Sequence, residues 1–268
     1  MAPPAVARRG DRGAGAGQAQ ADRGIGRHAV APLPKALAFD VFGTVVDWRT
    51  SVARESAGFL EAIGLGARDP AAFADAWRAQ YIAAMIGMKA SGRDFVVLDV
   101  LHREMLEATL RDWGADPADL DPELLAEWNR VWHRLDPWPD TVVGLTRLKT
   151  RFPIVTLSNG NVALLLAMAR RAGLPWDAIL GAEVSGFYKP DKRAYLRTAE
   201  MLGIAPAELC LVAAHHGDLA AARAAGLSCA YVDRPQEYGG APAPDAHHEQ
   251  AWEWSATSLT DLADRLGC

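Results

Sequence analysis

The sequence predicts an α/β protein built on a parallel sheet, with an all-helical insertion after the first strand. Short apolar runs of strand length alternate along the chain with amphipathic segments of helix length. Polar residues of differing chemistry stand where those runs end, and the long stretch 51–137 carries helix signals but no convincing strand.

Residues 1–34 are rich in Arg, Gly, Ala and Pro, show no periodic apolar pattern, and are expected to form a disordered tail. The tail lacks both the amphipathic repeat of a transit peptide and the apolar core of a secretory signal. Its Gly13-Ala14-Gly15-Ala16-Gly17 has no strand before it and no helix after it, so it is not a dinucleotide loop. The first strand is Ala36 to Phe42, bounded by Gly43, within a core segment 35–50. In the insertion, Asp69-Pro70 and Asp121-Pro122 each place a capping carboxylate before a proline suited to the first helical turn. Trp77, Trp113, Trp128 and Trp132 are expected to pack its core. The chain re-enters the core, 138–268, through Pro137-Trp138-Pro139, with Asp140 as a helix cap. Further strands are expected at Ile154 to Leu157, around Ala178 to Val184, at Leu209 to Ala214 and at Cys229 to Val232. The intervening helices are Val162 to Ala172, Arg193 to Leu202 and Leu219 to Ala225.

Composition narrows the function. The chain has 268 residues, 50% of them apolar, enough for a real core. A formal net charge of −5 gives no basic field to draw nucleic acid, which leaves small molecules as the expected partners. Cys210, Cys229 and Cys268 are too far apart for a zinc site or a disulfide framework and fit a reduced, cytoplasmic protein. No apolar run reaches the roughly 18 residues of a membrane span.

At the strand ends stand Asp40, then Ser158-Asn159, then Lys189, then Asp218. The carboxyl ends of parallel strands form a ligand crevice, so a carboxylate, a hydroxyl and amide, an ammonium and a second carboxylate converge on one edge. An unpaired carboxylate there is costly; Lys189 would keep Asp40 ionised and fit to act as a nucleophile. The alternative is a turn aspartate bonding the amides of Gly43 and Thr44.

The run Phe39-Asp40-Val41-Phe42-Gly43-Thr44-Val45-Val46-Asp47, with Leu157-Ser158-Asn159-Gly160, Tyr188-Lys189-Pro190-Asp191 and Asp218, resembles the haloacid dehalogenase superfamily. Within it the match is to the type II 2-haloacid dehalogenases that act on (S)-2-haloacids. The resemblance spans about residues 36 to 235 and implies a Rossmann-like core with a helical cap. Phosphatase members of the superfamily resemble Asp-x-Asp, whose second carboxylate is a general acid. Here that position is Phe42, which can neither protonate an alkoxide nor hold a hard cation. Halide leaves without protonation, so the substitution favours dehalogenation, with no cofactor and no metal. A Mg²⁺-dependent phosphatase, or attack on a C–F or strained C–N bond, is the alternative.

By resemblance, Asp40 displaces halide from C2 of a short 2-haloacid, and water hydrolyses the resulting ester. Thr44 and Ser158 hold Asp40 and the substrate carboxylate, and Lys189 supplies positive charge. Asn159 and Arg78 are the halide-side donors, and Tyr195 matches a family tyrosine. From the residues alone, Arg78 reads as a solvated helix arginine, and only the resemblance raises it to a halide donor; Tyr195 could equally be a packing residue and Asn159 a helix cap. The fourth motif departs from the family's Ser-Ser-Asn-x-x-Asp, reading Ala213-Ala214-His215-His216-Gly217-Asp218. His215 takes the asparagine's place and could orient or deprotonate the hydrolytic water, or be structural. Asp218 directs that water or merely caps the helix at Leu219. Dimers are common in the family, so a homodimer is compatible with the resemblance.

Overall fold

The computed structural model describes residues 32–90, 92 and 94–268, so most of the expected tail, residues 1–31, lies outside the described residues. Strand β1 (Ala36–Phe39) is apolar throughout and buried at every position, as a central strand covered on both faces must be. It pairs in parallel with β4 (Ile154–Thr156) on one side and β5 (Leu209–Ala213) on the other. The sheet continues through β6 (Ser228–Val232) to β7 (Trp254–Ala256), in the order β4-β1-β5-β6-β7, parallel throughout. Alternation along β1 divides the core. Leu37 and Phe39 face one layer with helices α5 (Thr141–Lys149), α6 (Val162–Ala172) and α10 (Leu259–Leu266). Ala36 and Ala38 face the other, with α8 (Lys192–Met201) and α9 (His216–Ala224).

Short antiparallel strands β2 (Val46–Asp47) and β3 (Asp136–Pro137) pair with each other. Between them run α1 (Trp48–Ala62), α2 (Pro70–Ala90), α3 (Leu98–Asp112) and α4 (Pro122–Asn129). The two Asp-Pro signals act as expected: Asp69 accepts from Ala71 N at 2.9 Å and Asp121 from Glu123 N at 2.9 Å. Trp77, Trp128 and Trp132 are fully buried, with Phe73 packed between Trp77, Trp113 and Trp128.

Two expectations fail in the core. The segment around Ala178 to Val184 forms no strand; it makes one bridge, Ala178 to Val155, and then a short helix, α7 (Ala182–Ser185). The Thr156 hydroxyl meets both the N–H (2.8 Å) and the carbonyl (3.2 Å) of Leu180 and takes the place of a ladder. Gly181 then runs so close to the Gly160 carbonyl that a Cβ there would lie 2.6 Å from it. Asp140 precedes α5 but does not cap it with its side chain; its carboxylate instead pairs with Arg234 and accepts from Leu259 N. Among the described residues, no helix is long and apolar enough to cross a membrane.

Candidate active site

Asp40 follows β1 directly, and its N–H donates to Val212 O at 3.0 Å, so sheet pairing places the carboxylate at the strand's carboxyl end. It is 7% exposed. Lys189 Nζ donates to Oδ1 at 2.9 Å. Oδ2 receives two donors, the Thr44 hydroxyl at 2.8 Å and His215 Nδ1 at 3.0 Å. Burial by itself would push the Asp40 carboxyl up, but the Lys189 ammonium and the His215 contact hold it well below the usual carboxylate range. Asp40 is therefore an anion, and the amide contacts of a simple turn aspartate are not what hold it.

The Lys189 ammonium bridges Asp40 and Asp218. Burial opposes its charge, and the two carboxylates outweigh burial and raise its pKa. Its main chain is clamped by the Asn159 amide: Lys189 N donates to Oδ1 at 2.7 Å, and Nδ2 donates to Lys189 O at 3.1 Å. Asn159 is thus not the cap of α6, a place taken by Asn161. Asp218 lies in the first turn of α9 rather than capping it, and its second oxygen accepts from Tyr195 Oη at 2.6 Å. Tyr195 is fully buried and meets the site through that bond.

His215 sits between two carboxylates, with Nε2 3.0 Å from Glu237 Oε1. Burial disfavours the imidazolium, yet the Glu237 charge and the Asp40 hydrogen bond raise its pKa well above 6.5. In its protonated form the ring donates from both nitrogens, to Asp40 and to Glu237. The neighbouring His216 turns away, accepting from Trp252 Nε1 and stacking on Tyr231.

Glu237 escaped the sequence analysis. It is 2% exposed and also accepts from Trp48 Nε1 at 3.0 Å. Gly43 makes room for it: φ is +82°, and a Cβ there would lie 2.1 Å from Glu237 Oε1. The only available signal was its place in Arg234-Pro235-Gln236-Glu237, a polar loop beyond a strand's carboxyl end.

A cavity of about 820 Å³ opens onto this cluster, and Asp40, Arg78, Asn159, Lys189, His215 and Asp218 all line it, with Phe42 and Tyr81 beside them. The Arg78 guanidinium lies over the Tyr81 ring at 4.5 Å and 5.7 Å from the Trp48 ring. Thr44 and Ser158 do not reach the cavity. Thr44 is fully buried, and its hydroxyl also accepts from Ala214 N at 2.9 Å. Ser158 Oγ accepts from Gly160 N at 3.1 Å in the tight turn that starts the α6 approach, which leaves its own hydroxyl proton to give.

A family model for haloacid dehalogenase-like hydrolases matches residues 34–226, and the chain belongs to that family. It is 30% identical over 215 residues to (S)-2-haloacid dehalogenase 1 of Pseudomonas sp. (strain CBS-3), covering 78% of this chain and 89% of that protein. Among solved structures it resembles the defluorinating L-2-haloacid dehalogenase Rha0230 at 49% identity and a TM-score of 0.84, covering 88% of this chain and 96% of that one. It also resembles the L-2-haloacid dehalogenase PA0810 at 43% identity and a TM-score of 0.81, covering 87% and 99%.

Proposed function

We propose that this chain hydrolyses the carbon–halogen bond of short 2-haloacids through an ester on Asp40. The observation that carries the reading is an ionised Asp40 facing the cavity, with Phe42 and not a carboxylate two residues further along the chain. The residues do not fit a divalent cation, since Phe42 offers no ligand and the Asp40 and Asp218 carboxylates are both occupied by one ammonium.

Asp40 Oδ1 is the less engaged oxygen and is assigned the attack on C2; the halide departs with the electron pair toward Arg78, on the side of the cavity that Asn159 also lines. Oδ2 then becomes the ester carbonyl oxygen. Thr44 and His215 already donate to it, so they form the donor pair that stabilises the oxyanion when water attacks the Asp40 carboxyl carbon. Asp218 takes one proton of that water, whose oxygen stays on the Asp40 carboxyl carbon; the ester C–O bond breaks, and the alkoxide takes the remaining water proton from the new carboxyl group, giving the 2-hydroxy acid and the Asp40 carboxylate again. Tyr195 holds Asp218 in place, while Ser158 supports the turn that carries Asn159. Residues 51–137 serve as a helical cap over a core of 35–50 and 138–268. The reading also carries a cytoplasmic location and a homodimer, the latter checked by sedimentation.

The test is halide release from (S)-2-chloropropionate, chloroacetate and fluoroacetate in the presence of EDTA. Release that is lost in Asp40→Asn supports the reading. Silence on all three acids, with Mg²⁺-dependent turnover of a phosphate ester, overturns it.

A further inference from the structure

The Tyr81 phenol is fixed in one hydrogen-bonding direction. The Lys189 N–H needs an acceptor and has Asn159 Oδ1 at 2.7 Å, which settles which end of the amide is which. The amide nitrogen must then face Tyr81, and it donates to the phenol oxygen at 2.5 Å. A phenol that accepts from an amide has its own proton left to give. Among the described residues no acceptor for that proton is found, and Tyr81 lines the cavity next to Arg78 and Asn159. Burial holds the phenol protonated, with its pKa raised, even though the Arg78 charge beside it pulls the other way.

We infer that Tyr81 is a direct donor to the departing halide beside Arg78, and that Asn159, whose two amide hydrogens go to Tyr81 and to Lys189 O, acts on the halide through Tyr81, in a site graded toward small, hard halides. The inference rests on the dehalogenase reading. As Asp40 Oδ1 forms its bond to C2, the carbon–halogen bond breaks and the halide keeps the electron pair; Tyr81 offers a hydrogen bond and transfers no proton. An O–H donor discriminates in a way a guanidinium does not. Fluoride concentrates its charge and accepts a short hydrogen bond strongly, whereas bromide is diffuse and leaves with little help. Orientation adds to this, since the Asn159 amide polarises the phenol it donates to.

The experiment is single-turnover halide release by the full chain and by Tyr81→Phe, with (S)-2-fluoro-, 2-chloro- and 2-bromopropionate. Phenylalanine keeps the ring beneath Arg78, and thermal unfolding alongside confirms that the variant is folded. The expected result is a rate loss that grows from bromide to chloride to fluoride, by about 10-fold or more across the series, with KM nearly constant. If fluoride is not released even by the wild type, the chloride and bromide rates decide by the same ordering. An equal loss for every halide, or a loss confined to KM, assigns Tyr81 to packing or to the substrate carboxylate and overturns the inference while leaving the dehalogenase reading intact. A wild type that releases no halide from any of the acids overturns both.

Discussion

Glu237→Gln is the sharpest probe of the charge arrangement around Asp40. The change keeps the shape of a side chain that is 2% exposed, packed against Gly43, and an acceptor for Trp48 Nε1. What it removes is the charge that does most, against burial, to keep His215 protonated. A neutral imidazole has one N–H to share between two partners 3.0 Å away on either side, so Asp40 Oδ2 loses its ring donor in part of the population. Loss of one oxyanion donor costs about 100-fold or more in turnover, and a hydrogen bond to a charged group is worth about 1.5–3 kcal/mol. We therefore expect kcat of Glu237→Gln to fall at pH 8, by up to about 100-fold if the ring proton stays on Nε2, with recovery toward acid pH as the ring regains its second proton. The same linkage governs stability. The folded-state pKa of His215 lies above its unfolded value, so the protonated ring contributes fully below the unfolded value of about 6.5, and the contribution is lost as pH rises through the folded value. In the variant that loss begins at lower pH. The assay is a pH profile of halide release and of Tm for both proteins between pH 5 and roughly 9, the span in which a histidine near its unperturbed value changes charge. A variant with wild-type kcat and an unshifted profile would refute the claim that Glu237 sets the state of His215.

Further tests probe single links of the same chain. Asp40→Asn should reduce halide release to background, since an amide is a poor nucleophile; halide assay with the folded variant checks this. His215→Ala should slow ester hydrolysis more than alkylation, giving a burst of about one halide per site followed by a stall. Intact mass spectrometry would then find the ester on Asp40, and equal loss of burst and steady rate would remove His215 from the hydrolytic half-reaction. Gly43→Ala should cost at least about 2 kcal/mol, from positive φ together with overlap on the Glu237 carboxylate, measured by denaturant unfolding.

The buried strands were legible because a parallel sheet covered on both faces demands continuous apolar runs, and β1, β4, β5 and β6 all lie in such runs. β7 was not, since Trp254–Ala256 is three residues with only one fully buried. The segment at Ala178 has a strand's composition, and only the cross-chain contact from Thr156 shows why it does not become one. Of the site, Asp40, Lys189, Asn159 and Asp218 could be placed from their positions at strand ends. The turn contact of Ser158, whose oxygen accepts from Gly160 N, could not, because it depends on the path of the chain after β4. Glu237 and Tyr81 follow no local rule at all; each matters through a partner far along the chain, His215 and Asn159 respectively.

The sharing of one ammonium by two carboxylates has a consequence for timing in the proposed cycle. Before reaction, Lys189 divides its attraction between Asp40 and Asp218. Alkylation erases the Asp40 charge, so the cluster's electrostatic balance moves one unit toward positive without any side chain moving. The same pocket that first favours a departing anion then favours developing negative charge on the ester. The nucleophile's own neutralisation thus acts as a clock that switches the pocket's field from one half-reaction to the next.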